Sequence, residues 1–288
     1  MNLVLLGSRR LRSNRRINQK HLENRRPIGV FDSGLGGLTV VREIRKRLPH
    51  ENIVYFGDIA RLPYGTKSKA QIVNFSVQNT EFLLKYRVKA VVVACNSSSS
   101  AAFHLLRQRF QTLVVDVIQP AAEAASLVTR TGRIGLIATR ATIESRAYEK
   151  ALMRLNPRIK VFSQVCSLFV PLVEEGWFEH PISLKIARQY LNALRSRSID
   201  TLILGCTHYP LLKSVIGRAM GKAIHLVDSA KPTVDKLTSL LMENRLSYPG
   251  MKKGSLNVYV SDMPCNFKRL GERFLGEKLK NVKLVRLP

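Results

Sequence analysis

Cys95 and Cys206 stand in the same local sequence. Cys95 closes the apolar run Ala90-Val91-Val92-Val93-Ala94 and Cys206 closes Leu202-Ile203-Leu204-Gly205; polar hydroxyl residues follow both, and then a helical pattern. A short β-branched run of this kind reads as a buried parallel strand. Each sulfur is therefore expected at the carboxyl end of a strand, where open α/β sheets hold their ligands. A thiol titrates near about 8.5, and a helix N-terminus or a cationic neighbour lowers that value, so cysteine can serve as base or acid near neutrality. Two thiols facing one crevice can take a proton from one face of a carbon and return one to the other, which inverts the centre. The chemistry these residues suggest is racemisation.

The other cysteines lack this context. Neither Cys166 nor Cys265 ends an apolar run, and free cysteine ordinarily behaves as a small buried hydrophobe, so both read as structural or exposed thiols. There is no C-x-x-C pair, and Cys206 with His208 makes only one C-x-H step, so no metal site is expected. The loop Asp32-Ser33-Gly34-Leu35-Gly36-Gly37 follows the first strand and opens the first helix, offering free backbone amides to an anion. Read as G-x-G-x-x-G from Gly34 it fails at Thr39, so a carboxylate cradle fits it better than a dinucleotide site.

The elements that must position these residues alternate. Strand signals fall at 28–31, 53–56, 89–95, 112–117, 133–138, 159–163, 200–205, 224–227 and 256–260, and helical ones at 38–48, 67–86, 142–155, 183–196 and 210–220. Such alternation predicts doubly wound α/β layers.

Composition places the chain among intracellular enzymes. Its 288 residues, 45% of them hydrophobic, suffice for a full core and two domains of moderate size. Four cysteines are too few for a disulfide scaffold and suit a reducing, cytoplasmic setting. No apolar stretch approaches the roughly 18 residues of a membrane span, so no membrane association is expected. The net charge of +27 is unusual; residues 1–26 hold eight basic side chains against Glu23, and the remainder still carries +20. A field of that sign attracts anionic substrates, phosphate backbones or acidic lipid alike. Residues 1–26 read as a basic, flexible extension; their Arg-rich, acid-poor composition would also suit a transit peptide.

Five motifs carry a family resemblance. Asp32-Ser33-Gly34-Leu35-Gly36-Gly37, Pro63-Tyr64-Gly65, Ala94-Cys95-Asn96-Ser97, Pro171-Leu172-Val173-Glu174 and Gly205-Cys206-Thr207-His208-Tyr209-Pro210-Leu211-Leu212 stand in the order found in the bacterial glutamate racemases, and from Pro27 almost to the C-terminus the chain resembles that family. One departure is the run Ser97-Ser98-Ser99-Ser100, where the family usually has Thr-Ala-Ser-Ala; the hydroxyl at 97 is kept and a methyl is lost.

The resemblance implies a cofactor-independent enzyme that interconverts L- and D-glutamate, supplying the D-form for peptidoglycan. It implies two similar doubly wound α/β domains with mostly parallel sheets, 27–118 with 229–288 forming one and 119–228 the other, and an active site in the cleft between them. Cys95 would exchange the α-proton on the D-glutamate side and Cys206 on the L-glutamate side, with Asp32, His208 and Glu174 assisting. Ser33, Pro63, Tyr64, Gly65, Asn96, Ser97, Thr139, Thr142 and Thr207, together with Asp32 and His208, would surround the substrate. Glutamate is the expected partner, with a homodimer as the assembly and nucleic-acid contact only a secondary effect of the basic surface.

Three rival functions share these features. A racemase for aspartate or another acidic amino acid would use the same two thiols. A cysteine hydrolase would need only Cys206 with His208 as its base. A nucleic-acid-binding protein would use the charge, although no recognised binding motif is present.

Overall fold

The computed structural model describes residues 24–263, 267–280 and 282–287; Cys265 and all but the last three residues of the basic extension lie outside them. Among the described residues ten strands form two sheets. The first has six strands: β1 (Ile28–Asp32), β2 (Ile53–Gly57), β3 (Ala90–Val93), β4 (Leu113–Val115), β9 (Leu256–Val260) and β10 (Val282–Leu284), in the order β10-β9-β2-β1-β3-β4. The second has four: β5 (Arg133–Ala138), β6 (Lys160–Val165), β7 (Thr201–Gly205) and β8 (His225–Asp228), in the order β6-β5-β7-β8. Every pairing is parallel.

The two sheets repeat one topology. The order β2-β1-β3-β4 recurs as β6-β5-β7-β8, with β9 and β10 extending the first sheet beyond β2. Strand β3 therefore corresponds to β7, and the segment carrying Cys95 corresponds to the one carrying Cys206. The repeated thiol context in the sequence is a repeated position in the fold.

Alternating side chains of each strand feed cores on opposite faces, as the period of two requires. Ile28, Val30, Ile53, Tyr55, Ala90 and Val92 join the core built with α1 (Leu38–Arg47), α10 (Ala230–Glu243) and α11 (Phe267–Leu275). Phe31, Val54, Phe56, Val91 and Val93 face the core under α2 (Lys69–Leu84) and α3 (Asn96–Arg109). In the second sheet, Ile134, Leu136 and Ile203 pack beneath α4 (Ile118–Val128) and α6 (Ala147–Leu155), while Ile137, Leu202 and Leu204 meet α8 (Pro181–Arg195) and α9 (Lys213–Met220). Burial on both faces explains why these strands read as continuous apolar runs. The doubly wound expectation holds for both sheets.

Local departures have local causes. The expected helix 142–155 is two helices, α5 (Arg140–Ser145) and α6, because Arg146 adopts a left-handed conformation with φ 54°. The Ser145 hydroxyl bridges the break, donating to the Thr142 carbonyl at 2.6 Å and accepting from the Ala147 amide at 3.1 Å. The expected helix 210–220 begins as a tight turn over Tyr209–Leu212 before α9, with Pro210 in its first turn. Glu174 ends the short α7 (Phe169–Glu174). No helix among the described residues is long and apolar enough to cross a membrane.

Candidate active site

The chain leaves both sheets at the carboxyl ends of their central strands, and four of these exits meet. Strand β1 delivers Asp32 and Ser33, β3 delivers Cys95, β5 delivers Thr139 and β7 delivers Cys206. Asp32 is fully buried, accepting from the Gly34 amide at 3.0 Å and from the Thr207 hydroxyl at 3.3 Å. Burial raises its carboxyl above the usual range, opposed by His208 and by bonds from Gly34, Gly37 and Thr207.

Cys95 is 5% exposed and its thiol donates to the Ser33 hydroxyl over 3.6 Å. Burial, reinforced by the Asp32 charge, pushes the thiol up to about 11, against the pull of the Ser98 and Ser33 contacts. On the other side His208 is buried two residues beyond Cys206, with its Nε2 3.4 Å from Glu174 Oε1 and its ring edge-on to Phe274. Burial alone lowers the pKa of an imidazole. Here the Cys206 sulfur and the Glu174 carboxylate outweigh it and raise His208 to about 10.

The Pro63-Tyr64-Gly65 wall is anchored from behind. The Tyr64 hydroxyl donates to the buried Asp58 carboxylate, which also accepts from Arg61 Nε at 2.6 Å and from the Ser261 hydroxyl at 3.0 Å. Asn79 donates to the Tyr64 oxygen at 3.1 Å, and the Arg61 guanidinium lies 4.3 Å over the Phe75 ring.

Direct contacts bridge the two sheets' loops. The Ser97 and Thr139 hydroxyls are 3.0 Å apart, and Thr139 and Thr142 are 3.2 Å apart. A methyl on Gly36 would stand 2.2 Å from Thr207 Oγ1, and one on Gly65 2.5 Å from the Thr139 Cβ. Those approaches leave a small cavity of about 20 Å³, lined by Ser33, Leu62, Pro63, Tyr64, Gly65, Cys95, Asn96, Ser97, Thr139, Val170, Cys206, Thr207 and His208. That is room for roughly one water, so this cavity is closed to anything larger.

A profile of the Asp/Glu/Hydantoin racemase family matches residues 34–237. The chain belongs to this family. Membership makes this racemase-family chain an isomerase. It is 49% identical over 260 residues to the glutamate racemase of Geobacter metallireducens, covering 90% of this chain and 96% of the relative. In three dimensions it resembles the Francisella tularensis glutamate racemase solved with D-glutamate, at TM-score 0.86 and 41% identity over 91% of this chain and 98% of that one. A Bacillus anthracis glutamate racemase superposes with TM-score 0.87 at 38% identity over the same shares.

Of the residues singled out in this chain's sequence, both thiols, Ser33, Pro63, Tyr64, Gly65, Asn96, Ser97, Thr139, Thr207 and His208 line this same cavity. Asp32, Thr142 and Glu174 stand behind it, each bonded to or paired with a lining residue. Leu62 and Val170 line it without having been singled out, since isolated apolar residues carry no chemical signal. Tyr148 was missed as well; its hydroxyl donates to Asn96 Oδ1 at 2.7 Å, and in sequence it is an ordinary apolar-face aromatic of a helix. Among the described residues no group of three or more His, Cys, Asp or Glu side chains converges as metal ligands would.

Proposed function

We propose that this chain is a glutamate racemase in which Cys95 and Cys206 act as two bases on opposite faces of the α-carbon, without a cofactor. The observation that carries the reading is that both thiols, from equivalent positions in the two sheets, line a single cavity with hydroxyl and amide donors between them. Cys95, held protonated to about pH 11, is the acid that returns a proton on the D-glutamate side. Cys206 takes the proton on the L-glutamate side, and the His208 imidazolium sets a cation beside the sulfur that must carry the charge. Reverse turnover exchanges the roles. Glu174 holds His208, and Asp32 is the charge behind Ser33 and Cys95.

An amino-acid α-proton is weakly acidic, so negative charge developing on the carboxylate must meet fixed donors in a dry site. Ser33, Asn96, Ser97, Thr139 and Thr207 supply such donors, and Pro63, Tyr64, Gly65 and Thr142 shape or brace the wall. Glutamate does not fit beside one water's worth of space. The unit 27–118 with 229–288 must therefore part from 119–228 to admit it, and closure then excludes water. The product would serve peptidoglycan synthesis in the cytoplasm.

The test is proton NMR of the purified protein with L- or D-glutamate in deuterated buffer without added cofactor, followed by chiral analysis, with aspartate run in parallel. Deuterium at the α-carbon with inversion from either enantiomer is the expected result. Turnover of aspartate in place of glutamate would redirect the substrate, and exchange with neither would overturn the reading.

A further inference from the structure

Asn96 is 3% exposed, and its two amide atoms have different fates. Oδ1 accepts the Tyr148 hydroxyl at 2.7 Å, while Nδ2 is buried without a partner. Asn96 lines the cavity, and Tyr148, itself fully buried, lies behind it on α6. The two side chains belong to opposite sheets, so the bond crosses the cleft. Burial, with Asp116, Cys206 and Asp228 adding to it, raises the Tyr148 phenol well above its ordinary value, which leaves it a donor throughout the working range. The observed bond runs from the phenol to the amide oxygen, and an amide held by its oxygen turns its nitrogen away from the phenol. An unpaired buried N–H costs free energy unless a ligand accepts from it.

We infer that Tyr148 is a positioning residue that locks the Asn96 amide so that Nδ2 donates to the carboxylate of the bound amino acid when the cleft is closed. The inference rests on the racemase reading. It ties substrate binding to closure, because the bond joins α6 to the first residue of α3 across the cleft.

The test is a double-mutant cycle on the full chain, with kcat/KM for L-glutamate as the readout. Tyr148→Phe keeps the ring and removes the hydroxyl; it is expected to lower kcat/KM about tenfold in the wild-type background, the worth of one oriented hydrogen bond. In an Asn96→Ala background the same change is expected to cost less than about twofold, since Tyr148 then has nothing to orient. Equal losses in both backgrounds, or none in the first, would overturn the inference. A merely structural tyrosine gives equal losses and a lowered melting temperature in both. Asn96→Asp keeps an acceptor for Tyr148 and removes the donor, which covers the case of an unstable Tyr148→Phe; retained turnover in that variant overturns the inference too. Wild-type protein that leaves glutamate unchanged would defeat the racemase reading and this one with it, whereas an active wild type without coupling defeats this one alone.

Discussion

The Thr207 hydroxyl donates to Asp32 Oδ1 at 3.3 Å, joining the residue after one candidate base to a carboxylate that bears on the other. Asp32 ends β1 of the six-stranded sheet, and Thr207 follows β7 of the four-stranded one. The opening proposed for substrate entry would separate these two segments and break the bond. Charge placement around both thiols would then depend on closure, and changes that hold the seam apart should harm turnover without harming the fold.

Gly36→Ala is the sharpest such change. The added methyl would meet Thr207 Oγ1 at 2.2 Å and His208 Nδ1 at 2.7 Å, distances that only separation of the two loops can relieve. The expected outcome is a fall in kcat/KM of at least tenfold with little change in melting temperature, measured by racemisation assay and thermal denaturation. A drop in melting temperature with activity retained in the folded fraction would show that the contact serves folding instead.

The raised His208 pKa gives a stability prediction with a definite sign. Its folded value is about 10, against about 6.5 in an unfolded chain. Between those values the folded state binds more protons, so the stabilisation is complete below about 6.5 and is lost as pH rises toward about 10. Melting temperature should fall from pH 7 to 9, and Glu174→Gln, which removes one of the two partners raising the pKa, should make that fall shallower. Calorimetry of both proteins across this range is the check; parallel curves would assign the slope to other groups.

A second stability prediction concerns the wall of the first sheet. Lys89 Nζ lies 2.6 Å from Glu51 Oε2 with both side chains almost fully buried, and it also donates to the carbonyls of Asn24 and Leu246. Burial pushes the Glu51 carboxyl up and the Lys89 ammonium down, each opposed by the other's charge. Lys89→Met leaves the buried Glu51 carboxyl without its cation, with the Tyr248 amide still donating to it at 2.9 Å, and should cost about 3–5 kcal/mol in urea unfolding. Adding Glu51→Gln should recover part of that loss; no recovery would mean the backbone carbonyls matter more than the ion pair.

The sequence was most readable where one strong local signal sufficed. The runs before Cys95 and Cys206 are apolar because β3 and β7 are covered on both faces, and the equivalence of those strands is what the repeated context recorded. Contacts between distant segments were not readable. Tyr148 and Asn96 are separated by 52 positions, and nothing in a helical tyrosine shows that its hydroxyl will meet an amide across a cleft. The break at Arg146 was hidden because arginine is an ordinary helix former; the left-handed turn is held by the Ser145 bonds on either side of it. Strand β10 escaped notice because it is a three-residue edge whose Lys283 and Leu284 are exposed, which leaves no buried alternation to detect.

The two-thiol mechanism makes its own prediction against the hydrolase alternative. If Cys206 were a nucleophile served by His208, Cys95 would be one more buried thiol, and Cys95→Ser, a near-isosteric change, would leave turnover within a small factor. If the two sulfurs work on opposite faces, neither can be spared. A serine hydroxyl is far too weak an acid to trade protons as a thiol does, so Cys95→Ser and Cys206→Ser should each lower racemisation by about a thousandfold or more, within the range that general acid–base groups contribute when both steps are lost. Because the Cys95 thiol meets only small groups, the Ser33 hydroxyl at 3.6 Å and Ser98, a serine of similar size should leave the melting temperature nearly unchanged. Chiral analysis of product from both enantiomers decides the matter: loss in both variants with the fold intact requires two bases, and survival of turnover in Cys95→Ser would leave Cys206 working alone.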